Sequence, residues 1–383
     1  MIRADRLFPG GGEPPLTDHM VVIADGVIRD IAPFAPDSPG GDRALHVPVC
    51  APGFIDLQIN GSGGVFFNDT PDQPTLARMA AAAASGGTCH FLPTFITAPG
   101  TDYERAMMVA ADCRLPHILG LHLEGPFLSP KRPGIHPLAG IRPLSHADVD
   151  LVLSRLDSVR GDDDRRLLVT LAPEQTDMAL LARLTAAGII VFAGHSNATM
   201  AQLGLAIDHG LCGVTHLFNA CSQMTARKAG IVGTALADHR LFAGIIADGL
   251  HVHPRMLQIA ARLMGDRLCL VSDAMPTFGS DQTGFSIGGR DITLVGRRLQ
   301  AADGTLAGAH LGLDEAVAAM CGLAGVALAD ALHMASGVPA RILGMEDRYG
   351  RIEPGRPASL TCLSDDLESL AVFVHGQEVI HQN

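Results

Sequence analysis

The sequence predicts an α/β fold, a (β/α)8 TIM-like barrel with a small β-sandwich domain built from both termini. Three observations support this prediction. Both chain ends are rich in strand-like segments, the middle alternates apolar strands with Ala- and Leu-rich helices, and that middle offers eight strand candidates. An α/β barrel can hold about 250 residues or more as one domain. A chain of 383 residues therefore accommodates a barrel and a smaller unit.

The two chain ends are expected to meet in one small unit. Residues 19–33 read HMVVIADGVIRDIAP, in which Asp-Gly separates two apolar runs, a pattern typical of a β-hairpin. The C-terminal segments RYGRIEPGRPASLTCLSDD and LAVFVHGQEVI are again strand-like, with Gly-containing turns. We therefore expect residues 1–50 and 345–383 to form the β-sandwich, with a catalytic barrel of residues 51–344 inserted between them.

The strand candidates of the middle are short apolar runs bounded by turn residues. Helix patterns such as QPTLARMAAAAASGG and DMALLARLTAAG separate most of them. The alternation breaks over residues 278–312, where we expect a hairpin excursion before the last helices. In such a barrel the active site lies at the C-terminal ends of the strands. The candidates are residues 53–60, 88–95, 118–125, 167–174, 189–196, 213–220, 242–251 and 267–274.

The composition argues against some classes of function and favours others. A formal net charge of −12 argues against a general nucleic-acid surface, which needs a basic stripe. An anionic substrate must then be bound by local positive groups rather than by the field of the whole protein. Hydrophobic residues make up 47% and charged residues 18%, which describes a globular, well-buried protein of the kind that enzymes form.

Cysteine usage and the N-terminus predict the compartment. The chain has eight cysteines but no CxxC pair, so reduced thiols are expected rather than a disulfide framework. The N-terminal residues MIRADRLFPGGG lack the charged-then-apolar pattern of a signal peptide. No apolar run is long enough to cross a bilayer. These features together predict a cytoplasmic protein without membrane partners.

Polar residues end most of the predicted strands. Two strands, IIVFAGHS and GVTHLFNA, each deliver a histidine, and consecutive βα units would bring His195 and His216 side by side. Glu124 in HLEGPF completes a His2Glu set, which suits a catalytic zinc with a fourth position for water. Either histidine alone is more often a hydrogen-bonded core residue; the pair favours a metal site. The strand-end polar residues are Gln58, Asn60, Glu124, Glu174, His195, His216, Asn219, Asp248, His251 and Asp273.

Two further residues are candidates for the chemistry. Asp273 in LVSDA is the candidate general acid and base, because a carboxylate beside a metal site can take a proton from water and return it to a leaving amine. The alternative role of Asp273 is a cap for the next segment. His136 in PGIHP could hydrogen-bond a substrate carbonyl, although a lone loop histidine is usually structural.

A second group of residues is typical of an anion site. Asn219 and Ala220 begin a polar loop, Arg227 lies in MTARKAG, and His251 follows IADGL. Backbone N–H groups, a guanidinium and an imidazole together can bind a phosphate. Lys228 could serve the same purpose or simply be solvated.

Seven motifs in order resemble those of the N-acetylglucosamine-6-phosphate deacetylases of the amidohydrolase superfamily. They are PGFIDLQINGSGGVFFND, GLHLEGPFL, LAPE, GHSNAT, THLFNA, GIIADGLHV and LVSDA, and they run from about Pro52 to Asp273. The resemblance implies a barrel of the metal-dependent hydrolase type with a small β-sandwich, usually dimeric. It also implies hydrolysis of the acetamide of N-acetyl-D-glucosamine 6-phosphate, in amino-sugar catabolism and cell-wall recycling.

The resemblance also implies a role for each candidate residue. Glu124, His195 and His216 match the metal ligands, for one divalent ion per subunit, most simply Zn²⁺. Asp273 matches the catalytic acid and base, and His136 matches the group that polarises the acetyl carbonyl. The phosphate and sugar contacts of the family correspond to Asn219, Ala220, Arg227 and His251. In the family, the residues that match Arg227 and His251 can reach the site from the neighbouring subunit of a homodimer.

The sequence departs from the wider superfamily on the first strand. A His-x-His pair that holds a second metal is replaced by Gln58-Ile59-Asn60, and amides are poor zinc ligands, so we expect a single-metal site with Gln58 and Asn60 hydrogen-bonding around the metal water. Ala309 in LAGAHLG and the polar loop of residues 221–230 also depart from the family. Sugar selectivity is therefore left open.

Two alternatives to the predicted reaction remain at this point. The same chemistry could act on another N-acetylated sugar phosphate or acylamino compound. A non-catalytic barrel that binds a sugar phosphate is the alternative from a different class, and the retention of Glu124, His195, His216 and Asp273 together argues against it. Glu174 is assigned no role in the chemistry, and we expect it to be a buried carboxylate that accepts hydrogen bonds.

Overall fold

The computed structural model describes residues 1–35 and 43–381, and it confirms the predicted fold class. Within these residues an eight-stranded parallel sheet forms the barrel. Each of its strands falls within the segment predicted for it or differs at an end by one residue. The barrel strands are β5 (Phe54–Ile59), β8 (Thr88–Ile96), β9 (Gly120–Glu124), β10 (Arg166–Leu171), β11 (Ile190–Ala193), β12 (Gly213–Val214), β13 (Phe242–Ile245) and β14 (Leu268–Leu270).

The barrel closes between its first and last strands. Neighbouring strands pair in parallel in the order in which they occur along the chain. A bridge between Ile59 and Ala274 joins the ends, where the Asp273 amide donates to the Gln58 carbonyl at 3.0 Å. Every residue of β5, β8 and β9 is buried, as expected for strands that are covered on both faces.

A second sheet of seven strands is built from both chain ends. Two parallel strands, Ile2–Leu7 (β1) and Leu45–Pro52 (β4), lie side by side between antiparallel neighbours. At one edge of the sheet, Val27 also forms a bridge to Pro357. That the two ends form a domain separate from residues 51–344 stays a proposal. The strands are β1 (Ile2–Leu7), β2 (Leu16–Ala24), β3 (Val27–Pro33), β4 (Leu45–Pro52), β18 (Leu360–Leu363), β19 (Ser369–Val374) and β20 (Gln377–His381).

This sheet contacts the foot of the barrel, where the barrel strands begin. The Phe54 amide donates to Thr361 Oγ1 at 3.1 Å, and the Gly53 amide donates to the Ser359 carbonyl at 2.9 Å. The active end of the barrel, called the mouth here, lies at the opposite ends of the strands. The seven-stranded sheet therefore supports the barrel without entering the mouth.

Two small sheets lie at the mouth of the barrel. The expected hairpin excursion is a three-stranded antiparallel sheet. Its buried apolar residues Ile287, Ile292 and Leu299 belong to one cluster with Ile96 and Met275 of the mouth. The strands of these sheets are β6 (Gly61–Ser62), β7 (Val65–Phe66), β15 (Gly284–Ile287), β16 (Arg290–Val295) and β17 (Arg298–Ala301).

Five of the ten described α-helices begin at a residue whose side chain caps the helix. Ser145 and Asp148 form a reciprocal capping box at one helix start, and Thr199 and Gln202 form another. Within residues 1–35 and 43–381 no helix is long and apolar enough to span a bilayer. The α-helices are α1 (Gln73–Ser85), α2 (Tyr103–Asp112), α3 (His146–Arg160), α4 (Met178–Ala186), α5 (Met200–Asp208), α6 (Gly230–Ala237), α7 (Pro254–Met264), α8 (Leu313–Ala324), α9 (Leu328–Ala335) and α10 (Gly337–Ile342).

Aliphatic side chains dominate the main core, as expected for a chain without Trp. The cysteines contribute to packing rather than to cross-links, because all eight are free thiols. Most of them are buried, including Cys50 and Cys362, which face each other across the β4–β18 pair. Burial raises the pKa of the Cys212 thiol to about 11, so this thiol stays protonated at neutral pH.

Candidate active site

The candidate residues follow their strands by two or three positions. His195 lies beyond β11 and His216 beyond β12, while Asp273 lies beyond β14. All three have positive φ, at 46°, 32° and 51°. Non-glycine residues seldom adopt this conformation, and strained backbone of this kind clusters at functional sites. The chain therefore turns sharply as each of these residues enters the mouth.

Glu124, His195 and His216 converge on one point. The Nε2 atoms of the two imidazoles are 3.1 Å apart, and they lie 3.1 and 3.0 Å from Glu124 Oε1. All three side chains are buried, with 6% or less of each exposed. Among the residues that the structure describes, this is the only group of three or more His, Cys, Asp or Glu side chains arranged to hold a metal ion.

The chemistry of the three atoms fits a divalent cation. His195 Nδ1 lies 3.0 Å from the Arg132 carbonyl oxygen, which only accepts hydrogen bonds. The proton of His195 is therefore on Nδ1, and its Nε2 carries a lone pair directed at the other two ligand atoms. Burial by itself raises the pKa of Glu124, but the adjacent imidazoles of His195 and His216 hold that pKa well below its usual range. Two imidazole nitrogens and a carboxylate oxygen directed at one buried point are the donor set of a zinc site.

Asp273 lies beside this group and is joined to it by an amide. Gln58 Nε2 donates to Glu124 Oε2 at 3.0 Å and to Asp273 Oδ1 at 3.1 Å, and Asn60 Nδ2 donates to the same Asp273 oxygen at 2.6 Å. Burial, followed by the nearby Glu124 charge, raises the pKa of Asp273 to about 6. Gln58 and Asn60 thus act on the carboxylates of the site. A carboxyl group that titrates near neutrality can both accept and release a proton.

His136 approaches the metal group from the loop after β9. Its Nδ1 is 2.9 Å from Thr97 Oγ1, and its Nε2 is 4.0 Å from Glu124 Oε1. The ring centroids of His136 and His195 are 4.2 Å apart. Burial, followed by the charge of His195, holds the pKa of His136 well below its usual range. His136 is therefore neutral, and its Nε2 lies on the side of the ring that faces the metal group.

His251 is held by a carboxylate at the wall of the cavity that contains the metal group. Its Nδ1 lies 2.6 Å from Asp248 Oδ2, while its Nε2 is buried without a hydrogen-bond partner among the described residues. Burial raises the pKa of Asp248, but the hydrogen bond from His251 more than offsets this and lowers it. A buried nitrogen without a partner at a cavity wall indicates that a ligand supplies the partner.

A cavity of about 380 Å³ unites most of these residues. Of the eleven residues predicted for the metal site, the chemistry or the substrate contacts, two do not line it. Gln58 lies behind the carboxylates, and Arg227 lies on an exposed loop outside this cavity. The lining residues are Asn60, Ile96, Glu124, Arg132, Gly134, Ile135, His136, His195, His216, Asn219, Ala220, Ile246, His251, Asp273, Met275, Leu306 and Gly308.

Sequence reasoning missed one residue of this cavity. Arg132 lines it from the loop after β9, and no motif in the chain marks that residue. Glu174 is the hydrogen-bonding carboxylate expected from the sequence: it braces the turn after His195, because it accepts from Ser196 Oγ at 2.5 Å and from the Asn197 amide at 2.6 Å. The Ala309 side chain is buried and does not line the cavity, although its neighbour Gly308 does.

Fold and site together define a class of protein. A (β/α)8 barrel that gathers a buried Glu-His-His group and a nearby carboxylate at its mouth has the architecture of a metal-dependent hydrolase.

Comparison with known proteins places the chain within that class. The profile of the Amidohydrolase family matches residues 49–379, and the chain belongs to this family. The chain is 37% identical over 380 residues to the N-acetylgalactosamine-6-phosphate deacetylase of Shewanella sp. (strain ANA-3), covering 96% of this chain and 93% of the relative. It is 33% identical to the N-acetylglucosamine-6-phosphate deacetylase of Haemophilus influenzae, covering 94% and 95%.

A solved structure extends the comparison to the fold. The crystal structure of N-acetylglucosamine-6-phosphate deacetylase from Pasteurella multocida superposes with a TM-score of 0.90 at 31% identity, covering 98% of this chain and 99% of that one. The resemblance drawn from the seven motifs is thereby confirmed, and the protein is a hydrolase.

Proposed function

We propose that this enzyme hydrolyses the acetamide of N-acetyl-D-glucosamine 6-phosphate to D-glucosamine 6-phosphate and acetate. The observation that carries the proposal is the pairing of the buried Glu-His-His group with Asp273 in one cavity. The relatives named for this reaction cover nearly the whole chain. The proposed setting is amino-sugar catabolism in the cytoplasm.

We propose that Glu124, His195 and His216 hold one Zn²⁺ per subunit. Their two imidazole nitrogens and one carboxylate oxygen suit zinc and leave a further position open. When bound, the ion lowers the pKa of a water molecule and polarises the acetyl carbonyl. A second ion is not part of the proposal, because the amide N–H groups of Gln58 and Asn60 are engaged with Glu124 and Asp273.

Asp273 moves the proton in this proposal. Its carboxylate accepts a proton from the attacking water at Oδ1 or Oδ2 as the new C–O bond forms. It then gives that proton to the departing nitrogen as the C–N bond breaks, which leaves acetate and a free amine. Asp273 can serve in both steps because its carboxylate accepts a proton and its carboxylic acid form donates one.

His136 stabilises the charge that develops on the carbonyl oxygen. Its neutral imidazole faces the cavity near Glu124, and its Nε2–H can donate to that oxygen in the tetrahedral intermediate. A preorganised donor of this kind contributes roughly 3–4 kcal/mol to the transition state.

We propose that the enzyme acts as a homodimer in which Arg227 completes the neighbouring active site. Arg227 lies on an exposed loop outside the cavity of its own chain, whereas His251 lines that cavity. The apolar side chains of Met224 in this loop and of Met200 beside it are more than half exposed, at 53% and 58%. An apolar surface of this kind is typical of a protein interface.

N-acetylgalactosamine 6-phosphate is the second candidate substrate, because the Shewanella relative, at 37% identity, acts on that sugar phosphate. The two substrates differ only in the configuration at one sugar carbon. Acetate release from both sugar phosphates at equal concentration, with the unphosphorylated sugars as controls, tests the proposal. Faster turnover of the glucosamine derivative supports the first candidate, and faster turnover of the galactosamine derivative replaces it with the second. No acetate from either sugar phosphate by metal-loaded protein contradicts both.

A further inference from the structure

Arg132 provides the positive charge of the active-site cavity. It is the only Arg or Lys among the described residues that line this cavity, and Glu124 and Asp273 contribute negative charge to the same walls. With a net charge of −12, the protein as a whole does not attract an anion. A sugar phosphate, the substrate class of the proposed function, therefore needs a cation at this place.

The position of Arg132 is set by the turn after β11. Its Nε donates to Asn197 Oδ1 at 3.1 Å, and the Asn197 amide is in turn held by Glu174 at 2.6 Å. The Arg132 carbonyl accepts from His195 Nδ1 at 3.0 Å. The guanidinium is thus fixed beside the metal group, and little side-chain entropy remains to be lost when it binds a ligand.

The same turn brings Arg132 next to the predicted phosphate loop. The Ser196 amide donates to the Ala220 carbonyl at 3.1 Å, so the turn after His195 runs along the loop that begins at Asn219. Burial raises the pKa of the Cys221 thiol to about 12, and the charge of Arg132 acts in the opposite direction. The guanidinium charge therefore lies within electrostatic reach of residue 221.

The terminal nitrogens of Arg132 are available to a ligand. Across residues 1–35 and 43–381, Arg132 has no carboxylate within 4.0 Å, and its Nη atoms make no hydrogen bond, although its Nε is engaged. Two parallel N–H groups of a guanidinium match two oxygens of a phosphate. His251 offers a buried Nε2 without a partner at the wall of the same cavity.

We propose that Arg132 binds the phosphate group of the substrate from within the same subunit, together with His251 and the backbone of Asn219 and Ala220. This assignment rests on the proposed function for the identity of the substrate. It makes Arg132 a specificity-determining residue for phosphorylated sugars. Arg227 of a neighbouring subunit would then add to a phosphate site that each chain already possesses.

The test compares Arg132→Gln with Lys131→Gln. Lys131 is exposed, precedes Arg132 in the same loop and does not line the cavity, so the control removes the same charge one residue away. The measurements are calorimetric binding of glucosamine 6-phosphate and of glucosamine, on protein whose metal content has been counted. Arg132→Gln should weaken binding of the phosphorylated ligand about tenfold to a hundredfold, the range of a charge-assisted hydrogen bond. In Arg132→Gln, the binding of glucosamine and the metal content should change less than about twofold. In Lys131→Gln, the binding of both ligands and the metal content should also change less than about twofold.

The outcomes separate this inference from its alternatives. Equal weakening of both ligands, or of neither, overturns a phosphate contact. Loss of metal in Arg132→Gln overturns it as well, since Arg132 would then act by positioning His195. If the wild-type protein releases no acetate, and Arg132→Gln still weakens the binding of glucosamine 6-phosphate, the proposed function fails and the phosphate site stands. Arg132→Lys, which keeps the charge but not the paired N–H groups, should lie between wild type and Arg132→Gln.

Discussion

The mouth and the foot of the barrel both contain buried histidines, but only the mouth arranges them for chemistry. At the mouth, two imidazole nitrogens lie within 3.1 Å of one carboxylate oxygen. At the foot, His90, His117, Tyr349 and His375 form what we call the foot cluster, where β8 meets the seven-stranded sheet. The rings of His90 and Tyr349 are 4.6 Å apart, and Tyr349 Oη lies 3.1 Å from His375 Nε2.

The difference lies in what the ring nitrogens face. His90 in the foot cluster uses both nitrogens, with Nδ1 at 2.9 Å from the Pro116 carbonyl and Nε2 at 2.8 Å from Ser359 Oγ. His195 at the mouth uses Nδ1 in the same way but directs Nε2 at a carboxylate and a second imidazole. A ring nitrogen that is hydrogen-bonded to neutral partners has a structural role. A ring nitrogen whose lone pair lies close to other electron-rich atoms requires a cation between them. Proximity of histidines alone does not make a metal site.

The largest expected effect is that of Asp273→Asn at the mouth. The amide keeps the shape of the side chain but cannot accept the proton from water, so turnover should fall about a hundredfold to ten-thousandfold. Acetate release and metal content measured on the same preparation check this, and the metal content should stay at the wild-type level. Near-normal turnover in this variant would remove Asp273 from the mechanism.

The contrast between the two regions is tested by substituting one histidine in each. His195→Asn should weaken metal binding by at least about a hundredfold, because loss of a partner outside the ligand set already costs 10- to 100-fold. His90→Gln should leave the metal content unchanged and lower the free energy of unfolding by about 1–3 kcal/mol, since buried groups lose their hydrogen bonds. Metal analysis and urea unfolding distinguish the two results. Loss of metal in His90→Gln would show that the two regions are not independent.

A smaller effect is expected for Arg227→Ala. If Arg227 reaches a neighbouring cavity, this variant should raise KM for the phosphorylated sugar about tenfold and leave KM for the unphosphorylated sugar nearly unchanged. Steady-state kinetics with both substrates measure this. Equal changes in both KM values would argue against a phosphate contact by Arg227.

The smallest effect is a pH dependence that comes from the foot cluster. Burial lowers the pKa of His90 well below its usual value, and burial also lowers the pKa of His117 and of His375. The unfolded chain, with an ordinary histidine pKa of about 6.5, then binds more protons than the folded chain once the pH falls below that value. Stability is therefore complete above about pH 6.5 and declines on acidification, for His90 alone by up to about 1.4 kcal/mol per pH unit.

His90→Gln provides the control for this pH dependence. Because the variant lacks one titrating group of the foot cluster, its difference in unfolding free energy from wild type should shrink between pH 7.5 and pH 5.5. Both proteins are compared at equal metal content, so that metal release at low pH affects them alike. A difference that stays constant over this range would exclude His90 as a source of the acid sensitivity.

Most of the barrel and part of the candidate site could be predicted from the sequence. Apolar runs closed by polar residues located the barrel strands, and the motifs around Glu124, His195, His216 and Asp273 located the groups that the structure brings together at the mouth. The strand prediction is confirmed, and the four side chains meet because parallel strands deliver their last residues to one end of a barrel.

Contacts between loops could not be predicted in this way. Arg132 lines the cavity only because Asn197, 65 residues further along the chain, holds its side chain. The bracing role of Glu174 depends on the turn of the next βα unit. Nothing in TCHFLPTF distinguishes His90, on the foot side of β8, from a histidine directed at the mouth. Side-chain partners of this kind are set by tertiary packing and leave no local periodicity.

In the proposed reaction, one metal ion held by Glu124, His195 and His216 is required for deacetylation. The most direct test returns zinc stepwise to chelated wild-type protein and follows acetate release from N-acetylglucosamine 6-phosphate. Activity should rise in proportion to bound zinc and reach its plateau at one ion per chain. Full activity in the chelated protein, or a plateau only at two ions per chain, would contradict the claim.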